Sequence, residues 1–263
     1  MTPPPFEPSQ ESRPQGLLDR LKAKGGILAT IAFVAWKALS LLKLAFLGKY
    51  LLTIGSAFVS IWFYTRVYGA FFAVGLVLML FVHECGHALA ARRYKLPYSG
   101  MMFVPFMGAV VMHGRGQTNA VQDAFIGIMG PVVGGLYGIV CIGLAFLTGN
   151  PLFLALASST FFINLFNLLP TAPLDGGWIA PLFSPKLLAF GAILLVFIGF
   201  MNPFIWLLAL LSLPRIIAGW KAGPNHEYFQ ATAKDRWKYG FAYVGLALSL
   251  GFLEIVTRIL HGS

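Results

Sequence analysis

The sequence predicts an all-α polytopic membrane protein with about six to seven transmembrane helices and one short membrane-associated β-hairpin-like segment. Three observations carry that expectation. Of the 263 residues, 58% are hydrophobic and only 11% charged, whereas a soluble domain carries about 25% charged residues and needs them to face water all round. Several apolar runs reach the roughly 20 residues that cross a bilayer as a helix. The basic residues, finally, lie between those runs, as the excess of Lys and Arg in cytoplasmic loops requires.

The charge distribution also excludes and orients. A net charge of +10 would suit a nucleic-acid binder, but no basic domain exists to carry that role, and no nucleic-acid partner is expected. With the N-terminus cytoplasmic, segments bearing Arg13, Arg20, Arg92, Arg93, Lys95, Arg115, Lys186, Arg215 and Lys221 all fall on the inner side. Only Arg66 and Arg258 remain opposite. The expected setting is a multi-pass protein of a bacterial-type inner membrane. Cys85 and Cys141 both lie in apolar segments, so they imply no disulfide framework and read as small buried hydrophobes.

The elements follow in order. Residues 1–25 are Pro-rich and polar and read as a flexible cytoplasmic tail without a signal peptide. Residues 26–49 are apolar but interrupted by Lys37 and Lys43; mid-span charges are expensive in lipid, which favours an interfacial amphipathic helix over an extra span. Residues 50–65 form a short first span, and Gly69 to Ala91 a second, stopped by Arg92, Arg93 and Lys95. Residues 96–117 differ: Pro97, Pro105 and the β-prone "MMFVPFMGAVVMHG" predict a hairpin or re-entrant segment. Such backbone is tolerated at membrane depth only inside protein or beside a water-filled cavity.

Helix resumes near Thr118–Asp123, with Thr118 or Asn119 as cap, and runs to about Leu147. A Thr148-Gly-Asn-Pro151 turn leads into residues 152–169, broken by Pro170 and Pro173 ahead of "LDGG" at 174–177. Spans near 186–201 and 203–220 are split by Asn202-Pro203. Residues 50–220 thus make a membrane core, and 221–263 a cytoplasmic loop followed by a C-terminal transmembrane helix.

The chemistry concentrates in "LFVHECGHALAARR" (80–93). On a helix His83 and His87 are four residues apart and stack on one face, so both imidazoles reach one zinc ion. Glu84 lies about 100° round the helix, beside a metal-bound water whose pKa zinc lowers to about 7. It can take a proton during attack and return it to the leaving amine. Three polar groups in an apolar span are hard to tolerate without a compensating ion. Cys85 points away and reads as packing.

Catalytic zinc needs a third protein ligand and one open position. Asp175 is the leading candidate, because the broken helix end around it frees backbone and admits water; Glu254 competes, but its span has no breaker. His87 lies five residues and His83 nine before Arg92, so the metal would sit roughly 8–13 Å from the cytoplasmic end, within reach of cytosolic water. His113 reads as a loop residue, with a gating role as the alternative.

"HECGH" (83–87) followed by "NLLPTAPLDGG" (167–177) resembles the site-2 protease family of intramembrane zinc metalloproteases. The resemblance covers residues from about 50 to 220. It implies one Zn2+ per chain held by His83, His87 and Asp175, with Glu84 as general base. It also implies that Asn167 holds the substrate or the developing oxyanion, and that the activity is cleavage of a single-span membrane-protein substrate. A helical peptide bond is hidden, so the substrate must unwind; the hairpin could take it as an added strand, with Gly108, Ala109 and Val110 as the expected contacts. The family pattern carries Gly-Pro, two small or apolar residues and Asn in the next span. This chain reads Gly130-Pro-Val-Val-Gly134, so Gly134 stands where the Asn would, and Gly130, Gly134 and Gly135 read as close helix packing. No soluble segment is long enough for a PDZ or CBS module. Two other readings compete: a non-catalytic membrane zinc protein, which has no use for Glu84, and a prenyl-protein-processing type, which takes a downstream Glu instead of Asp175.

Overall fold

A computed structural model describes residues 50–96, 98–104, 108–113, 118–223 and 225–262, together with Phe33, Trp36, Lys37 and Gly48. The expected tail at 1–25 lies outside the described residues. Of the expected interfacial segment at 26–49 only those four are described, all helical. The chain divides into two units, Met1–Gly48 and Lys49–Ser263. The elements named below all belong to the second unit.

Its elements are α1 (residues 50–68), α2 (Ala70–Arg93), β1 (Tyr98–Val104), β2 (Gly108–His113), α3 (Ala120–Thr148), α4 (Pro151–Asn167), the short α5 (Gly176–Ile179), α6 (Leu187–Ile198), α7 (Pro203–Ala222) and α8 (Ala233–Gly262). Their boundaries have local causes. Asn119 caps α3: its side chain accepts the Gln122 N–H at 2.9 Å, and the Gln122 side chain returns the bond. Gly149 closes α3 in the left-handed region at φ 67°, which a Cβ would resist. Asn150 and Asn202 cap α4 and α7, each with Pro at the first helical position, where a missing N–H is harmless.

Among the described residues four helices are long and apolar enough to cross a membrane: α2, α3, α7 and α8. α4 and α6 are apolar but shorter, at 17 and 12 residues. Large apolar side chains point outward around the molecule, with Phe71, Leu147, Phe197 and Met201 each more than 80% exposed. Water would drive such surface together, whereas lipid solvates it.

The hairpin expected from residues 96–117 is present. β1 pairs antiparallel with β2, Met101 opposite Val111 and Phe103 opposite Ala109. The other edge of β1 is satisfied by side chains of α1. The Thr53 hydroxyl donates to the Met101 carbonyl at 2.5 Å, and the Phe103 N–H donates to Ser56 Oγ at 3.0 Å. Strand backbone at membrane depth thus keeps its hydrogen bonds inside protein. Buried Met101 and Phe103 join Tyr64, Ala73 and Met79 in one apolar cluster between α1, α2 and β1.

The main core lies between α3, α4, α5 and α8, with Ala124, Cys141, Ala157, Phe161, Ile179 and Leu250 buried at its centre. α2 and α3 form the most extensive helix pair. There is no room for a side chain where they cross: a Cβ on Gly86 would strike the Met129 carbonyl.

Candidate metal centre

His83, Glu84 and His87 all lie on α2 and are 2%, 6% and 7% exposed. One helical turn separates the two imidazoles, whose ring centroids are 4.8 Å apart with planes at 77°. Each ring is anchored at Nδ1. His83 Nδ1 lies 2.7 Å from Asn164 Oδ1 on α4, and His87 Nδ1 lies 2.8 Å from the Ile126 carbonyl on α3. Both partners are acceptors, which assigns the proton of each neutral ring to Nδ1. Both Nε2 atoms therefore present lone pairs, and they face each other at 3.0 Å.

Asp175 completes the group from the other side of the core. Its Oδ2 lies 3.1 Å from His83 Nε2 and its Oδ1 3.1 Å from His87 Nε2. The carboxylate arrives because the chain folds back on itself after α4. Cβ atoms at Gly176 and Gly177 would collide with backbone of residues 168–172, so the glycine pair lets the turn close on α5. The Tyr243 hydroxyl of α8 donates to the Leu168 carbonyl and holds that turn.

With both rings neutral and protonated at Nδ1, three lone pairs converge, and buried Asp175 Oδ2 receives no hydrogen bond. That arrangement repels itself until a cation enters. A tetrahedral zinc ion with ligand distances near 2.0–2.2 Å sets its ligand atoms about 3.3 Å apart, close to the 3.0–3.1 Å found here. Two imidazoles and one carboxylate also form a catalytic donor set, with a fourth position free. The residues present fit zinc.

A second polar cluster lies near the start of α3. Asp123 is 3% exposed, accepts the Tyr228 hydroxyl at 2.5 Å and pairs with Arg215 of α7 at 3.6 Å. The Arg215 guanidinium covers the Trp178 ring at 4.1 Å. Burial, and then the Asp123 charge, push the Tyr228 phenol well above its ordinary pKa, so it stays a donor.

Of the residues expected from sequence, His83, His87 and Asp175 come together and Glu84 shares the helix of the two histidines. Glu254 pairs with Arg258 along α8 and not with the histidines. Gly108, Ala109 and Val110 sit in β2 opposite Val104, Phe103 and Met102, and His113 ends that strand opposite Tyr98. Asn167 is the last residue of α4, half-buried, and the side chain that reaches an imidazole is Asn164, one turn earlier. Sequence reasoning missed Asn164, though a buried amide in an apolar run is a signal in itself. It also missed the Asp123 cluster, whose members are scattered along the chain.

Fold and site define a helical protein of membrane-spanning composition with a candidate metal centre of two histidines and one aspartate. Residues 71–160 match the family model of Peptidase family M50, the site-2 protease family. The resemblance drawn from the two motifs is thereby borne out; the matched stretch holds both histidines and Glu84 but ends before Asp175. The chain is 32% identical over 116 residues to the zinc metalloprotease MJ0392 of Methanocaldococcus jannaschii, covering 41% of this chain and 33% of that protein. It is 34% identical over 118 residues to the putative zinc metalloprotease Rip3 of Mycobacterium tuberculosis, covering 41% of this chain and 30% of that protein. The matched segment therefore spans about a third of the length of these curated relatives.

Proposed function

We propose that this chain is an intramembrane zinc endopeptidase that hydrolyses a peptide bond within or near a transmembrane segment of a single-span membrane protein. The observation that carries the reading is the convergence of the ligand atoms of His83, His87 and Asp175, with Glu84 on the same apolar helix as the two histidines. These three residues would hold zinc. When bound, the ion acts as a Lewis acid toward the scissile carbonyl and acidifies water. Glu84 takes the proton of the attacking water and delivers it to the leaving amine. Asn167 holds the substrate chain or its developing oxyanion.

The same reading places six to seven spans in a bacterial-type inner membrane, with residues 50–220 as the protease core and the N-terminus cytoplasmic. Arg92 and Arg93 end α2 on the cytosolic side, so the site opens toward cytosolic water beside the broken segment ahead of Asp175.

The unwound substrate joins the hairpin as a third strand. α1 hydroxyls occupy the outer edge of β1, which leaves addition to the outer edge of β2. Met101 and Phe103 turn their main-chain groups toward α1, so their partners Val111 and Ala109 turn theirs away from β1. Of the three expected contact residues, Ala109 thus offers its backbone to a new strand, while Gly108 and Val110 are used by the ladder.

The test is reconstitution of the purified protein with a panel of labelled single-span substrates. Wild type is expected to cleave, and Glu84→Gln to keep its zinc while losing about 10²–10⁴-fold in rate. Equal cleavage by the two would leave a non-catalytic zinc protein as the better reading.

A further inference from the structure

We infer that Asn164 is a positioning residue for the proposed zinc ligand His83, seated in a space that the missing side chain of Gly134 on α3 leaves open. The inference rests on the zinc half of the proposed function, not on the identity of any substrate.

The amide is locked. Asn164 is fully buried, and its Nδ2 donates to the Thr160 carbonyl at 2.7 Å. Thr160 in turn gives its hydroxyl to the Leu156 carbonyl at 2.7 Å and so stays within α4. An asparagine amide has one donor side and one acceptor side. With the donor committed to Thr160, the acceptor Oδ1 faces His83 Nδ1 at 2.7 Å. His83 must then keep its proton on Nδ1 and offer an unprotonated Nε2 to the metal position.

Without that acceptor the ring has a competing choice. The other tautomer puts the proton on Nε2, where Asp175 Oδ2 waits at 3.1 Å with no other donor. The resulting hydrogen bond would satisfy both groups and close the metal site with a proton. Asn164 excludes that collapse by making the Nδ1 proton the better-satisfied one. His87 has the same protection from the Ile126 carbonyl, which no side-chain substitution removes.

Gly134 explains why the amide comes from α4. A Cβ at 134 would fall on the Asn164 amide itself. The two positions share one volume beside His83, and only one of them can carry an amide.

The experiment measures zinc retention by purified protein against graded chelator, with melting temperature of the zinc-free form as the fold check. Asn164→Leu, which keeps the branched shape at Cγ and removes the acceptor, is expected to lose about 10–100-fold in zinc affinity. Gly134→Asn alone is expected to lose affinity as well, because two amides then compete for one space. The double variant Gly134→Asn/Asn164→Ala is expected to recover to within about tenfold of wild type. A merely structural amide would not produce that rescue. Wild-type zinc affinity in Asn164→Leu, or a folded double variant no better than either single, would overturn the inference and leave the protease reading intact. Should Asn164→Leu fail to fold, the double variant alone decides. Zinc bound with these affinities but no cleavage of any substrate would overturn the protease reading and leave this one standing.

Discussion

Two aspartates sit inside this apolar protein, and they are treated in opposite ways. Asp123 meets a phenol that donates to it and a guanidinium that neutralises it. Asp175 meets two imidazole nitrogens whose protons have been drawn off to Asn164 and Ile126. The first cluster is complete without any added group. The second sets three potential metal-ligand atoms against one another, the arrangement proposed above to hold zinc. Burial and charge alone do not separate a structural carboxylate from a metal ligand; the location of the protons around it does.

The contrast can be broken most severely at Asp175. Asp175→Ala is expected to abolish tight zinc binding and cleavage together, measured by metal analysis and by the reconstituted assay. Next in size is Ala109→Pro, which removes a backbone N–H from the outer edge of β2. Cleavage should fall to background while zinc content stays at the wild-type level, and unchanged cleavage would sink the strand-addition idea. Removing zinc with a chelator should then lower the melting temperature of wild type but not of Asp175→Ala. At free zinc of 100 times the dissociation constant the stabilisation lost is about 2.7 kcal/mol.

The Asp123 side yields smaller effects of a different kind. Tyr228→Phe deprives the buried carboxylate of its closest donor and is expected to cost about 1.5–3 kcal/mol of stability. Arg215→Met should cost less, roughly 1 kcal/mol, because the guanidinium is partly exposed and its stem still covers Trp178. Neither change should alter zinc affinity. A large loss of zinc in Tyr228→Phe would erase the distinction between the two clusters.

Much of this was legible beforehand, for a local reason. The four-residue spacing of His83 and His87 needs only helix periodicity to put both rings on one face. Asp175 was singled out by Pro170, Pro173 and the glycine pair, which act on the backbone beside it. Asn164 was not legible, since its role depends on the missing side chain at Gly134, a residue thirty positions away on another helix. The same holds for Thr53 and Ser56, ordinary polar residues of α1 until the edge of β1 is laid against them.

By itself, then, the sequence determined the apolar lengths, the caps and breakers, and the chemical identity of the candidate ligands, because transfer cost and backbone periodicity act within one segment. Tertiary structure decided which nitrogen of each histidine faces Asp175, which edge of the hairpin is taken, and which acid is neutralised by its neighbours. Those outcomes depend on hydrogen bonds between helices, and such bonds exist only where small residues let the helices approach.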